Sequence, residues 1–442
     1  MKWFVIAVLL LGLGLVLDLE LLVFAMYVLL GVLLVSRWLT REWTGKVAAT
    51  RTCSIESTRV GGRATITITL INRSRLAVPW LIIEEAFPND ALKPPLRMKL
   101  TGRTTFIARL KPRETRVNRY TVEFLSRGYH QFGPLLIEGG DVFGLHRRYR
   151  VLSAPVYVLV PPDVVPLKGY DIASRRPLGE IRMTHRLFED PTRIAGVRPY
   201  QPGDPLSRIH WRAYARTGSL HSKVFEPSCV AGATLLLDFH RRSFTGSEAF
   251  WVEDLAITAA ASLANAVYEL GQKVGFVTNG RDAAERIRSE GWRAAWTTRA
   301  EAMDNLNARP ANERLEPIVL PPQRGPEQLQ RIHETLARLE MTDGFDFAEM
   351  VRETASRLPR DASVVAILPE VTRATATTLG ELRRSGYAVS AVVVTRDERE
   401  FRDWAMPPDW AAMLIKEGIE FRPVNSREAL AELQVERVVA VT

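Results

Sequence analysis

Two apolar runs stand almost back to back at the amino terminus, Trp3–Leu17 and Leu21–Val35, parted only by Asp18, Leu19 and Glu20. So short a break leaves room for a tight turn and little else. The runs therefore read as a transmembrane helical hairpin over residues 1–38, with helices at about 3–17 and 19–36. Helix is close to compulsory in lipid, where every backbone N–H and C=O must be satisfied within the segment. Each run is short, because fifteen residues rising about 1.5 Å apiece reach roughly 22 Å of a hydrocarbon core about 30 Å thick. Leu19, Trp38 and Leu39 can extend them, and local thinning absorbs the remainder. Lys2 precedes the first run and Arg37, Arg41, Lys46 and Arg51 follow the second, while the turn carries only acids. The positive-inside rule then puts both ends, and all that follows, on the cytoplasmic face of the cell membrane. A cleaved signal peptide fits poorly, since Asp18-Leu19-Glu20 is no small-residue cleavage site and a second apolar run follows at once. A single anchor made of the second run is the other alternative.

The remainder of the 442 residues allows two or three domains. Two cysteines, Cys53 and Cys229, argue against a disulfide framework, and no Cys/His spacing suits a metal. Charge is unevenly shared. Residues 37–232 hold 32 Lys and Arg against 16 Asp and Glu, residues 233–442 hold 26 against 32, and so the basic half is the one beside the membrane. An anionic leaflet attracts such a surface by about 1 kcal/mol per cation held close to it. No nucleic-acid-binding module accompanies these cations, so nucleic acid is not an expected partner.

Residues 47–160 read as an antiparallel β-sandwich of the immunoglobulin type. Thr65, Thr67 and Thr69 alternate with Ile66, Ile68 and Leu70, and Tyr120, Val122 and Phe124 alternate with polar neighbours, the signature of half-buried strands. Shorter runs at Trp80–Phe87, Thr104–Leu110 and Leu135–Glu138 are separated by Gly, Pro and Asn. A linking segment, 161–232, follows. Over 233–442 the period changes: Thr234–Leu237, Val274–Val277, Val364–Leu368, Ala388–Val394 and Val438–Val441 are unbroken apolar runs, as in parallel strands buried on both faces. Helical patterns at Asp254–Leu270, Phe347–Leu358, Thr372–Ser385 and Trp410–Glu417 lie between them, giving a doubly wound α/β sheet. Residues 281–345 interrupt this rhythm, with one more strand at Pro317–Leu320 and a helix at Pro326–Glu340.

The densest chemistry lies at Gly196–Glu226. Pro202-Gly203 suits a tight turn. Asp204 reads as a helix N-cap with Pro205 at the first helical position, and Gly218 supplies the stop, predicting a helix over about Pro205–Arg216. Four-residue spacing then sets Arg208, Arg212 and Arg216 in one row beside the apolar Ile209 and Ala213. Such a row meets either internal carboxylates (Glu189, Asp190 or Glu226), an acidic partner protein, or lipid phosphate. The enzymatic alternative is a hydrolase or transferase using His210 with Asp204 or Cys229, for which the sequence supplies residue types but no sign of an activated nucleophile.

The chain resembles the domain of unknown function 58 family, bacterial membrane-anchored proteins with a von Willebrand factor A-like domain. The likeness rests on Arg127-Gly128-Tyr129 with Gly133-Pro134, on Asp141-Val142-Phe143-Gly144-Leu145, and on Arg198-Pro199-Tyr200 through Pro202-Gly203-Asp204 to Arg208-Ile209-His210-Trp211 and Ala215-Arg216. Val142 stands where the family usually has proline. The resemblance implies an A-type domain at 233–442 working with a MoxR-type AAA+ ATPase. A-type domains commonly hold Mg²⁺ with an aspartate and serines two and four positions on. Here Asp238 is followed by His240 and Arg242 at those places, a degenerate site whose cations repel Mg²⁺, so no metal or other cofactor is expected.

These readings converge on a membrane-tethered cytoplasmic adaptor or scaffold and not an enzyme. Its A-type domain would dock a protein partner, with an anionic lipid surface as a further contact. Arg198, Tyr200, Pro202, Gly203, Asp204, Arg208, His210, Trp211, Arg212 and Arg216 are the residues expected to bind that partner or to brace a domain junction.

Overall fold

The computed structural model describes residues 2–88, 91, 93–142, 144, 146–167, 189–199, 209–227, 232–246, 249–290, 298–307, 316–360, 362–395 and 408–433. They fall into two compact units: Met1–Asp163 with Arg281–Asn312 and His333–Glu340, and Val164–Gly280 with Glu313–Ile332 and Met341–Thr442.

The first unit opens with two apolar helices, α1 (Lys2–Val16) and α2 (Glu20–Gly45). The chain reverses at Asp18, which takes a positive φ of 48°. Small residues let the helices approach: Ala7 is buried, and a Cβ added at Gly14 would crowd Leu22 and Val23. Among the described helices α2 alone is long and apolar enough to cross a membrane, and α1 is a shorter apolar helix. Helix α2 changes character along its length. Leu21, Phe24, Val28 and Val35 are exposed, whereas Ser36, Thr40, Trp43 and Thr44 are buried, and Trp43 belongs to the core of the β-body that follows. Arg150 closes its end, donating from Nη1 to the carbonyls of Thr44 at 3.0 Å and Gly45 at 2.7 Å. Those carbonyls lack a following turn to bond them, and a cation there also meets the negative end of the helix dipole.

Ten strands follow: β1 (Val47–Cys53), β2 (Arg63–Asn72), β3 (Val78–Glu85), β4 (Met98–Thr101), β5 (Thr105–Leu110), β6 (Thr115–Phe124), β7 (Gly128–Phe132), β8 (Leu135–Gly140), β9 (Arg147–Ser153) and β10 (Val156–Val160). They make one sheet in the order β1-β2-β6-β4, a second in the order β5-β3-β8-β9, and a β7-β10 ribbon, all antiparallel. Ala64, Ile66, Ile68 and Leu70 of β2 point inward while the threonines between them do not, so a one-residue slip would bury hydroxyls and expose the core. Ile66, Ile68 and Phe124 of the first sheet share a single apolar cluster with Leu81, Ile83 and Ile137 of the second. The same unit takes in helices Ala283–Glu290 and Arg299–Asn307. They are held by Arg299 forked onto Glu84 at 2.7 and 2.6 Å and by Arg286 forked onto Glu340 at 2.7 and 2.9 Å.

The second unit begins with an antiparallel ribbon of β11 (Glu189–Pro199) and β12 (His221–Pro227), between which runs the short helix α3 (Trp211–Thr217). A six-stranded sheet follows: β13 (Gly232–Leu237), β14 (Lys273–Thr278), β15 (Ile318–Gln323), β16 (Ser363–Leu368), β17 (Val389–Val394) and β18 (Glu420–Val424). Its order is β15-β14-β13-β16-β17-β18, parallel throughout except for β15 at the edge. Every residue of β13 is buried, as its central place requires. Helix α4 (Ala249–Glu269) connects β13 to β14 and is buried without a break from Leu255 to Ala264. The expected strand at Val438–Val441 lies outside the described residues. Among the described residues the outer strand is Glu420–Val424, which sequence periodicity missed because an edge strand is only half covered and this one carries Arg422 and Pro423.

Candidate functional site

Helix α3 starts later than its sequence suggests. Ile209 is buried and bridges to Ser222 of β12, and the His210 N–H donates to the His221 carbonyl at 2.8 Å, which keeps these two residues extended. The N-cap is therefore His210: its Nδ1 accepts from the Ala213 N–H at 2.9 Å. Acceptance at Nδ1 puts the neutral ring's proton on Nε2. Gly218, at φ 67°, ends the helix in the left-handed conformation expected of it. The anticipated cap Asp204 lies outside the described residues, as do Tyr200, Pro202, Gly203, Arg208 and Cys229. Arg198 sits on β11 in register with Ser222.

The described helix carries two arginines and an aromatic surface. With the helix beginning at Trp211, only Arg212 and Arg216 share a helical row, one turn apart and both exposed. Helix α3 itself buries none of its residues. Trp211 is 63% and Tyr214 42% exposed, packed edge to face with ring centroids 6.3 Å apart, and Leu220 is 40% exposed. Sequence reasoning named Trp211 but passed over Tyr214 and the pairing of the two rings. Its signal was the three-residue spacing of two large aromatics on the face away from Ile209 and Ala213.

Asp238 lies just past the carboxyl end of β13, beside the point where the strand order reverses between β13 and β16, the usual ligand position in open α/β sheets. Its carboxylate is already spoken for. Oδ2 accepts from Ser243 Oγ at 2.6 Å, and Oδ1 accepts from Asn279 Nδ2 at 3.0 Å and the His240 N–H at 3.1 Å. Asn279 also accepts from the Phe239 N–H at 2.7 Å and donates to the Phe345 carbonyl at 3.0 Å, tying β14 to the loop. Burial raises the Asp238 pKa, opposed by the hydrogen bonds from Ser243 and Asn279. Arg241 meets Asp343 at 3.0 Å, and the partners of Asp238 are the neutral donors of Ser243, Asn279 and the His240 N–H. Among the described residues no group of three or more His, Cys, Asp or Glu side chains converges as metal ligands would.

The other motif residues have structural duties in the first unit. Arg127 is buried and donates to the Leu336 carbonyl at 3.1 Å, and Tyr129 stacks on Tyr157 with ring centroids 4.9 Å apart. Gly133, at φ 84°, leaves the space that the Arg51 guanidinium fills. Arg51 in turn meets the buried Glu85 (Nη2 to Oε1 2.6 Å) and donates to the carbonyls of Phe132 and Ala154. Burial pushes the Glu85 pKa up to about 7 against the pull of Arg51.

An apolar N-terminal helix joined to a sheet-rich body of several sheets is the class of protein this fold defines. Within it, the family described as "Protein of unknown function DUF58" matches residues 196–318, from β11 to the first residue of β15. The uncharacterized protein YeaD of Bacillus subtilis (strain 168) is 24% identical over 223 residues, 50% of this chain and 53% of that protein. The chain thus matches about half the length of this curated relative. Among solved structures, AvmM, which catalyses macrocyclization in alchivemycin A biosynthesis, is 14% identical over 27% of this chain and 92% of its own, at a TM-score of 0.19. An exo-β-N-acetylglucosaminidase of Vibrio harveyi is 8% identical over 79% of this chain and 82% of its own, at 0.17. Scores this low carry no argument about fold or activity.

Proposed function

We propose that the protein is a membrane-tethered adaptor whose α/β unit docks a partner protein, with a MoxR-type AAA+ ATPase as the partner class that the family resemblance implies. Helix α3 carries this reading: it exposes Trp211, Tyr214, Arg212 and Arg216 together while Ile209 and the ribbon fix its position. Aromatic and arginine side chains on a rigid support are what interface hot spots are made of, and arginine forks suit acidic partners. The α/β unit is read as A-type because its strand order, with one reversed edge strand, suits that fold, and the two facing sheets of the first unit suit an immunoglobulin-type sandwich. The exposed apolar stretch of α2 is read as the membrane anchor, with the cations that follow it on the cytoplasmic side.

Affinity purification of the full chain from detergent-solubilised membranes tests the adaptor. Wild type should retain an ATPase that Arg212→Glu and Trp211→Ala each release at least tenfold, with melting temperatures unchanged. Equal recovery with both variants would sink the docking role of α3. Protease added to inside-out vesicles should digest the α/β unit; its protection there would refute the cytoplasmic placement.

A further inference from the structure

Where α2 enters the β-body it leaves a gap. Val28, Gly31, Val32, Val35 and Leu39, one face of the helix, line a groove of about 360 Å³ together with Asp141 and Val142 of the loop after β8. That size is at the small end of ligand sites. Gly31 is one of its lining residues, and a Cβ added there would meet nothing within 4 Å.

Asp141 is braced from three sides. Ser36 Oγ donates to Asp141 Oδ2 at 2.6 Å, the His146 N–H donates to Oδ1 at 2.9 Å, and Trp80 Nε1 donates to the Asp141 carbonyl at 3.3 Å. Burial opposes ionisation of Asp141, yet the hydrogen bonds from Ser36 and His146 outweigh it and hold the pKa below the usual range. The one charged group in the wall is thus satisfied from behind, and the groove surface is apolar. Val142, the next residue, is nevertheless 71% exposed, and it continues the exposed apolar surface of Val28 and Val35 on α2.

Depth decides what covers that surface. Exposed Arg37 and Trp38 directly follow Ser36 and exposed Arg41 comes one turn later, a combination that settles at the headgroup level. At about 1.5 Å per residue, Val28 lies about 12 Å along the helix from Ser36, on the hydrocarbon side. The neighbouring α1 already packs elsewhere on α2, through Gly14 against Leu22 and Val23.

We propose that this groove seats one acyl chain of a membrane phospholipid, so that the Val142 loop lies in the bilayer surface and the β-body is set directly on the membrane. The proposal rests on the reading of α2 as a membrane anchor.

Nitroxide labels on the full chain separate the two. In a Cys53→Ala, Cys229→Ala background, Val142→Cys and the lipid-side reference Leu34→Cys are labelled and reconstituted into phosphatidylethanolamine and phosphatidylglycerol vesicles. Both labels should relax with oxygen in preference to a water-soluble nickel chelate, Val142 at the shallower depth. A lipid-buried label at Leu34 with an aqueous one at Val142 overturns the proposal and leaves the anchor standing; two aqueous labels overturn the anchor itself. Gly31→Leu fills the groove, and native mass spectrometry after mild delipidation should find one fewer retained phospholipid. Undiminished retention would overturn the acyl-chain assignment.

Discussion

Replacing His210 separates a cap from a catalyst. In His210→Ala the Ala213 N–H loses one of its two acceptors, Nδ1 at 2.9 Å, and keeps the His210 carbonyl. Losing an N-cap side chain costs about 1 kcal/mol. Helix α3 buries none of its own residues, so little tertiary packing offsets that loss, and the cost falls on local opening and not on global unfolding. A cost of about 1 kcal/mol is a roughly fivefold faster opening, to be read as amide hydrogen exchange at Ala213, Tyr214 and Gly218; the last two bond the carbonyls of His210 and Tyr214. His210→Asn is the informative partner, because asparagine caps at least as well while lacking the imidazole. It should return exchange to the wild-type rate and restore partner recovery. Restored exchange with a phenotype as severe as that of the alanine variant would refute the capping argument and favour chemistry at the ring.

Three further outcomes follow from buried groups. His130 has Nε2 3.0 Å from the Ser126 carbonyl, and burial drives its pKa from 6.5 down to about 4. Its neutral form therefore stabilises the fold fully above pH 6.5, and the contribution is lost as pH falls through about 4, about 3 kcal/mol in all. Urea unfolding at pH 7 and pH 4 should show that excess loss in wild type and not in His130→Gln. Ser243→Ala removes the 2.6 Å bond to the buried Asp238 carboxylate and should cost about 2 kcal/mol in a thermal or urea melt. Millimolar Mg²⁺ should leave the wild-type melting temperature unchanged; a stabilisation that disappears in Asp238→Ala would show that the loop accepts the ion after all.

Much of the secondary structure was legible because its signals are local. The Thr/Ile alternation over 65–70 names the inward face of β2, and the unbroken apolar runs at 234–237 and 364–368 name two strands buried on both sides. Gly218 stops its helix where a left-handed residue was needed. Hydropathy located α2 but not its division of labour, since Ser36, Thr40 and Thr44 are polar residues that become buried only because the β-body covers them.

The candidate site was less legible. Asp204 has the better intrinsic claim to cap a helix, and only the pairing of Ile209 with Ser222 delays the start to Trp211 and transfers the cap to His210. The helix that starts there exposes Trp211 and Tyr214 together. Ser243 likewise lies at neither serine position of the metal motif, yet the short turn at Arg241–Ser243 returns it to Asp238. By itself the sequence determined the periods, the breaks and the sign of the charge near the membrane, all of which depend on residues a few positions apart. The tertiary structure decided which polar groups are covered, which carboxylate is satisfied and which helix face is left bare. Those depend on side chains brought together from distant positions, whose energies are settled by burial and hydrogen-bond geometry that spacing along the chain does not encode.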